Sequence, residues 1–350
     1  MKKILFSLLS ITFVFTQACE AQQPTALMFP EKGKVVMILD ANDGAKAITF
    51  DQRNGFFEKV TETEMSIQMK KPVEVTQTRQ SVLPEYLKFL KSEVIDFEAS
   101  EIKFVSEVIQ NMYRTVSSIN PAIFPDTLKL IKTKENHYGQ GVWYTRENCI
   151  IIPAGELATP KTNAFTSTMY HELFHVYSRL NPAKSAQLYK LIGFESIGYQ
   201  KIEVPEALKN RVLHNPDGVD FAQKISLTQE DQSVIHAVPI IYANKAGYTP
   251  EKKEFFGYLE FNLYQIEPTA NGTWKVKVAE DGVSSTLKLD KQPDFFRQIK
   301  DNTGYIIHPD EVLADNFSFI MQELNGAKIS TKFSAEGKQL LKDVEAILKK

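Results

Sequence analysis

The sequence predicts an α+β fold, in which groups of strands and groups of helices follow one another along the chain. Three observations support this class: strand-like segments separated by turns near the N-terminus, long segments with apolar residues at helical spacing, and a hairpin signal at Asn271-Gly272. Because 43% of the 350 residues are hydrophobic, the chain can bury an ample core. A formal net charge of -2 predicts no nucleic-acid partner.

The N-terminus has the pattern of a bacterial secretory signal peptide, predicted over residues 1–21. Basic residues 2–3 precede an uncharged apolar run at residues 4–15, which is short for a membrane span; a membrane anchor helix is the alternative. Cys19 follows a small residue, as in bacterial lipoprotein processing sites, although Gln17 stands where a small residue is usual. Either Cys19 carries a lipid anchor or ordinary cleavage removes it. The predicted location is the periplasm, the outer membrane or the extracellular space.

Residues 22–84 are predicted to form a β-rich N-terminal region. Residues 35–39 are an apolar run, and the segments near Ile48 and Met65 also have strand character between turns rich in Asn, Asp and Gly. Such a region could be a propeptide or a permanent part of the protein, and the sequence leaves both alternatives open.

Residues 85–350 are predicted to form the main domain. Apolar residues at helical spacing predict helices over residues 85–119, over residues 309–324 and from near Ser334 to the C-terminus. Helix 309–324 should end at Asn325-Gly326, because glycine readily follows a helix C-terminus.

Strands are predicted over residues 128–131 and 142–152 of the same domain. Cys149 lies in the second of these, and we expect it to be a small buried core residue rather than a nucleophile. With Cys19 lipidated or removed, it has no partner for an intrachain disulfide. Asn271-Gly272 predicts the tight turn of a β-hairpin between two further strands.

The segment His171-Glu172-Leu173-Phe174-His175 reads H-E-x-x-H and lies in a predicted helix. Histidines four residues apart share one helix face, so both imidazoles can reach one metal ion, and Glu172 can act as general base on a water bound there. The motif is short, and a solvated surface helix is the alternative. Apolar residues around the motif predict a largely buried helix instead, in which the histidines and the glutamate need partners.

A catalytic zinc site needs a third protein ligand and an open position for water. Glu311-Val312-Leu313-Ala314-Asp315 places two carboxylates one turn apart on one face of the helix at residues 309–324. Glu311 could bind the ion while Asp315 accepts a hydrogen bond from His171. The alternative is a first-turn glutamate favoured by the helix dipole, with Glu203 or Glu206 as the ligand instead.

This set of residues resembles the thermolysin-like gluzincins, which are zinc metallopeptidases, and the run around Glu311 is similar to that of secreted bacterial zinc metallopeptidases. The resemblance covers two helices. It implies a zincin-like catalytic domain with a mixed sheet and an active-site helix, and Zn²⁺ as the cofactor. It also implies a role for each matching residue: His171, His175 and Glu311 as metal ligands, Glu172 as the base and Asp315 as the hydrogen-bond partner of His171.

Two features distinguish this chain from related groups. Metzincins carry glycine and histidine where this chain has Ser178 and Asn181, which excludes that group. More than a hundred residues separate His175 from Glu311, farther than in thermolysin, so we expect the hairpin at Asn271-Gly272 to belong to an insertion.

The predicted function is an exported zinc peptidase that hydrolyses peptide bonds in a peptide or protein substrate. Tyr305 is the first candidate for the group that stabilises the oxyanion, and His308, Tyr248 and His214 are alternatives. Two other functions remain open: a non-catalytic zinc-containing envelope lipoprotein, and a zinc hydrolase that acts on a non-peptide substrate. The sequence does not indicate an oligomeric state.

Overall fold

The computed structural model describes residues 25–29, 33–74, 77–197 and 201–350, and the predicted signal peptide with Cys19 lies outside them. In these ranges the chain is mixed α/β, with twelve α-helices and two six-stranded mixed sheets, as the predicted α+β class requires. None of the described helices is both long and apolar enough to cross a membrane.

The α-helices are α1 (Ala41–Ile48), α2 (Phe56–Lys59), α3 (Glu62–Met69), α4 (Arg79–Glu93), α5 (Ala99–Ile119), α6 (Ala154–Ala158), α7 (Thr162–Leu180), α8 (Pro182–Leu191), α9 (Glu206–Lys209), α10 (Pro293–Ile299), α11 (Pro309–Leu324) and α12 (Ala335–Leu348). The strands are β1 (Thr25–Phe29), β2 (Lys34–Ile38), β3 (Val94–Ile95), β4 (Thr127–Thr133), β5 (Tyr144–Arg146), β6 (Cys149–Pro153), β7 (Phe194–Ser196), β8 (Ile202–Glu203), β9 (Gln223–Thr228), β10 (Val234–Ala243), β11 (Leu259–Pro268) and β12 (Trp274–Val276).

The first sheet has the order β1-β2-β4-β6-β5, with β3 added beside β4. Strand β4 pairs in parallel with both β2 and β6, and the remaining pairs are antiparallel. All five residues of β6 are buried, as expected for a strand inside a covered sheet. Within β6, Cys149 is buried as predicted, and burial raises the pKa of its thiol to about 12.

The predicted strand over residues 142–152 is instead a tight hairpin of β5 and β6. The chain turns at Glu147-Asn148, where Glu147 adopts a left-handed conformation with φ of 51°. The sequence does not reveal this turn, because all three residues of β5 are buried, including the charged Arg146. No exposed polar segment therefore separates the two strands.

The prediction of a β-rich region beyond β2 was wrong, because the segments near Ile48 and Met65 form helices α1 and α3. Helix caps precede both segments. The side chain of Asp40, which was interpreted as part of a turn, and that of Thr61 accept hydrogen bonds from the first turns of α1 and α3. Residues 63–68 of α3 are all buried, so no polar face reveals its helical period.

Strands β1 and β2 belong to the same sheet as the strands that precede the motif helix, and no separate N-terminal sheet is present in the described residues. The helical segment predicted over residues 85–119 is two helices, α4 and α5, separated by the short strand β3.

The second sheet has the order β7-β9-β10-β11-β12-β8. The hairpin predicted at Asn271-Gly272 is confirmed: β11 and β12 pair in antiparallel fashion, and Gly272 has a φ of 75°. The hairpin is part of a larger sheet, because β9 and β10, which the sequence analysis did not predict, extend it on the β11 side.

Helices α7 and α11 pack directly against each other, although about 130 residues separate them in the chain. Helix α11 has the predicted bounds, and Ser334 caps α12 as its predicted start. The rings of Phe174 and Phe317 lie 5.6 Å apart between the two helices. This packing brings the H-E-x-x-H segment of α7 against the first turn of α11.

Candidate metal centre

Two histidines of α7 and one glutamate of α11 converge on a common point. The Nε2 atom of His171 lies 3.0 Å from Oε2 of Glu311, and Nε2 of His175 lies 3.3 Å from the same oxygen. The side chains of His175 and Glu311 are 1% and 2% exposed, and that of His171 is 12% exposed. The structure therefore brings together the three residues that the sequence predicted, and this group could bind a metal ion.

A carboxylate holds the other ring nitrogen of each histidine. Nδ1 of His171 lies 2.8 Å from Oδ1 of Asp315, which confirms the predicted contact. Nδ1 of His175 lies 2.7 Å from Oδ2 of Asp310, a partner that the sequence analysis missed. Such carboxylates fix the ring orientation and make Nε2 a better metal ligand.

Asp310 is itself fixed by two hydroxyl groups. Ser178 Oγ and Tyr189 OH each donate a hydrogen bond of 2.5 Å to its Oδ1 atom. In the sequence, only its position directly before Glu311 in the first turn of α11 could have suggested a role at the site. An acidic residue at that position is equally explained by the helix dipole.

The chemistry of these contacts fits a bound cation. When Nδ1 of a neutral histidine donates to a carboxylate, Nε2 carries a lone pair, and a lone pair facing the Glu311 oxygen is repulsive unless a proton or a cation lies between them. Without metal, protons fill this place. Burial opposes the charged form of His171, but hydrogen bonds with Asp315 and Glu311 raise its pKa to about 10. The pKa of His175 is also raised well above its ordinary value, since Glu311 and Asp217 outweigh burial.

Metal binding should therefore release protons. At neutral pH both His171 and His175 lie below their raised pKa values and hold an extra proton, which must leave before Nε2 can bind an ion. Affinity should rise with pH, by up to about tenfold per pH unit for each of the two protons. Zinc titration calorimetry in two buffers of different ionisation enthalpy measures the release, and identical heats in both buffers would contradict it.

Asp310→Asn tests the missed partner of His175. The uncharged amide should lower zinc affinity by about 10–100-fold, because the ring loses the carboxylate that orients it and raises its basicity. Competition with a chromogenic chelator gives the affinity. Asp315→Asn is the matched variant at His171. The Asp315 side chain is 24% exposed, whereas that of Asp310 is 2% exposed. We expect a smaller loss there, and an unchanged affinity in Asp310→Asn would show that this contact does not support the centre.

A cavity of about 360 Å³ opens beside the three residues. Glu172 lines it and is 4% exposed, and its Oε2 atom is buried without a hydrogen-bond partner among the described residues. Burial, together with the nearby carboxylate of Asp217, raises the pKa of Glu172 to about 8. The glutamate next to the first histidine is thus a buried carboxyl group with one oxygen that no described residue satisfies.

The turn at residues 214–218 also reaches the centre. Nδ2 of Asn215 donates a hydrogen bond of 2.5 Å to Oε1 of Glu311. This leaves Oε2 of Glu311 facing the histidines. The sequence indicated only a turn that either rims the cleft or is a plain loop, so the contact of Asn215 with Glu311 was missed.

Two residues of the same turn anchor it to other elements. Asp217 lines the cavity, and its Oδ1 accepts a hydrogen bond of 2.9 Å from the backbone of Thr145. The backbone N–H of His214 donates to Glu64 of α3 at 3.0 Å, and the His214 ring lies 3.1 Å from the same carboxylate. The N-terminal helices therefore contact the turn that touches Glu311.

Of the four candidate oxyanion donors, Tyr305 is the one that lines the cavity. Its ring stacks on that of His171 at 5.9 Å, and surrounding protein with nearby carboxylates raises its pKa well above the ordinary value, so the hydroxyl keeps its proton. His308 caps α11, where its ring accepts a hydrogen bond from the backbone of Asp310. The backbone N–H of Tyr248 donates to Ser66, and its side chain packs against a separate core cluster.

The reserve ligands Glu203 and Glu206 are exposed and do not line the cavity. Oε1 of Glu203 instead accepts a hydrogen bond from Thr273. The centre is therefore built from α7, α11 and the turn at 214–218. Comparison with known proteins finds no protein-family model, no curated protein and no solved structure that matches this chain.

Proposed function

We propose that the chain is an exported zinc-dependent peptidase of the thermolysin-like gluzincin type. The observation that carries the proposal is the convergence of two imidazole nitrogens and one carboxylate beside a buried glutamate, whose Oε2 accepts no hydrogen bond from the described residues. Two histidines and a carboxylate are a ligand set that suits zinc and leaves one position open. His171, His175 and Glu311 would hold the ion, and Asp315, Asp310 and Asn215 would hold these ligands in place.

When bound, zinc supplies a Lewis acid that polarises a carbonyl group and lowers the pKa of water. Glu172 supplies the proton transfers. Its carboxylate accepts a proton from the attacking water and delivers it to the leaving amine. Without metal, Glu172 with its pKa of about 8 is largely protonated at pH 7. A bound dication would lower this pKa and favour the carboxylate that a general base requires.

Tyr305 supplies a hydrogen bond to the oxygen that becomes negatively charged. The residue is 40% exposed, so a substrate in the cavity can reach it, while its stacking on His171 keeps the ring next to the metal ligands. Because its pKa is raised rather than lowered, the phenol is a hydrogen-bond donor at neutral pH.

One observation favours the rival proposal of a non-catalytic zinc protein. Ligand atoms of Glu172, His175 and Asp217 lie within 4.8 Å of one another, so a carboxylate of this second group could complete a closed set of four protein ligands. The cavity on the same side favours an open position instead, because it leaves room for a substrate next to the metal ligands.

Hydrolysis of an unfolded protein by the zinc-loaded enzyme tests the proposal. We expect cleavage of reduced, alkylated casein, loss of cleavage after removal of metal with a chelator, and recovery with about one equivalent of zinc. Fragments identified by mass spectrometry should end at hydrolysed peptide bonds. A protein that holds zinc but leaves this substrate intact supports the non-catalytic rival.

A further inference from the structure

The wall of the cavity beside the candidate metal centre is strongly acidic. Among the described residues that line the cavity, five are Asp or Glu and none is Lys or Arg. These residues are Glu156, Glu172, Asp217, Glu311 and Asp315.

A bound metal ion does not neutralise this wall. A dication and the Arg179 guanidinium, which lies 3.6 Å from Oδ1 of Asp217, offset three of the five carboxylate charges, and a proton on Glu172, whose pKa is raised to about 8, would remove a fourth. Buried Asp310 adds a further carboxylate behind His175. Because a cleft with protein walls focuses the field of such charges, the potential at the substrate position should stay negative with zinc in place.

One of these carboxylates has an oxygen that is not satisfied by the protein. Oε2 of Glu172 is buried and accepts no hydrogen bond from the described residues, in a side chain that is 96% removed from solvent. Glu156, in the short helix α6, also accepts no hydrogen bond from that part of the chain and is only half-buried. Glu156 is therefore the carboxylate available to a positively charged group in the cavity.

Exposed aromatic rings border the same cavity. Phe256 and Tyr305 are 52% and 40% exposed, and Trp143 and Phe319 also line the wall. Aromatic faces attract ammonium and guanidinium groups, and a neighbouring carboxylate adds to that attraction. The wall thus combines the two features that stabilise an organic cation.

The acidic bias does not extend along the whole cleft. An adjoining cavity, which shares Val142 and Phe256 with the first, carries both signs of charge, with Lys70 and Lys134 beside Glu135 and Glu254. Selection for positive charge should therefore act on the part of a substrate closest to the reacting bond.

We propose that this site selects peptides that carry a positive charge next to the bond to be cut, an inference that rests on the proposed peptidase function. The recognised chemistry is an ammonium or guanidinium group. It can come from a lysine or arginine side chain or from a free amino terminus, and both sources fit the same wall.

Peptide binding to the zinc-loaded Glu172→Gln variant tests the inference without requiring hydrolysis. The probes are octapeptides blocked at both ends that differ only in a central lysine, glutamine or glutamate, together with the glutamine peptide bearing a free amino terminus. Calorimetry should give at least about tenfold tighter binding for lysine than for glutamate. Raising the salt from about 50 mM to about 500 mM should weaken binding of the lysine peptide and leave that of the blocked glutamine peptide nearly unchanged.

The free-terminus peptide separates the two sources of charge. Tighter binding than its blocked form assigns the site to an amino terminus, whereas tighter binding of the lysine peptide alone assigns it to a side chain. Adding Glu156→Gln to the same variant should weaken binding of the preferred cationic peptide by about two- to fivefold. Glu336→Gln, at an exposed position of α12 outside the cavity, removes the same charge and should have no effect.

Equal or tighter binding of the glutamate peptide, or binding of none of the four, would overturn the inference. The zinc-loaded wild type should show the same order in kcat/KM. Cleavage of all peptides without preference would contradict the inference and leave the peptidase function standing. Preferential binding of a cationic peptide with no cleavage by the wild type would contradict the peptidase function instead.

Discussion

Glu172→Gln should keep the bound zinc and lower peptide hydrolysis by about 10²–10⁴-fold. The amide has nearly the same shape as the carboxylate but cannot take a proton from water, and Glu172 is not among the three converging ligands. Zinc content and kcat on a fluorogenic peptide, measured on the same sample, check both parts. Glu336→Gln is the control for loss of one carboxylate elsewhere on the molecule.

Two outcomes would contradict this role for Glu172. A variant that hydrolyses the peptide within about twofold of the wild type would show that another group moves the proton. A variant that loses its zinc would identify Glu172 as a metal ligand, as expected if it belonged to the second group with His175 and Asp217.

Glu311→Ala should weaken zinc binding by more than the roughly 10–100-fold typical of losing an outer hydrogen-bond partner, because it removes a ligand itself. It also removes the carboxylate that faces both histidines and leaves the Asn215 amide without its acceptor. Chelator competition gives the affinity, and circular dichroism shows whether the fold is kept.

Glu311→Gln provides a variant of nearly the same shape that still offers a carbonyl oxygen to Asn215. It should also bind zinc more weakly than the wild type, since an uncharged amide is a poorer ligand. Glu323→Gln, on the same helix and outside the cavity wall, is the control. Wild-type affinity in both Glu311 variants would remove Glu311 from the centre and reopen the choice of third ligand.

The parts of the site that could be predicted from sequence have a short-range cause. Residues four apart on one helix share a face, so the pairs His171/His175 and Glu311/Asp315 follow from spacing alone. The bounds of α11 were predictable for the same reason, because Pro309 favours a helix start and Asn325 with its following glycine favours a helix end.

The residues that were missed act across long distances in the sequence. Asp310 differs from an ordinary first-turn acid because His175 and Ser178 of α7 and Tyr189 of α8 contact it. Asn215 and Asp217 stand in a segment whose turn propensity was clear, but nothing local indicates that the turn packs on α11. Gly218 shows how close this packing is, since a Cβ atom there would lie 2.3 Å from the His308 ring.

Two errors in the fold, at α3 and in the predicted strand over residues 142–152, have a related cause, which is burial without a polar face. Helix α3 has six consecutive buried residues, including Glu64 with no exposed surface, and therefore shows no helical period. Strand β5 is also buried throughout. Its charged residue, Arg146, lies over the ring of Phe56 at 4.0 Å, so a charged residue in the sequence did not indicate a solvent-exposed position. Patterns of polarity predict structure only where one face of an element meets water.

Metal analysis of the wild type beside a His171→Ala, His175→Ala double variant is the most direct test of the candidate metal centre. Both proteins should be purified with zinc present, dialysed against metal-free buffer and measured by plasma mass spectrometry. We expect about one zinc ion per wild-type chain and almost none in the double variant, because removing both imidazoles leaves Glu311 as the only ligand of the predicted set. Full retention of zinc in a folded double variant would contradict the centre at these residues.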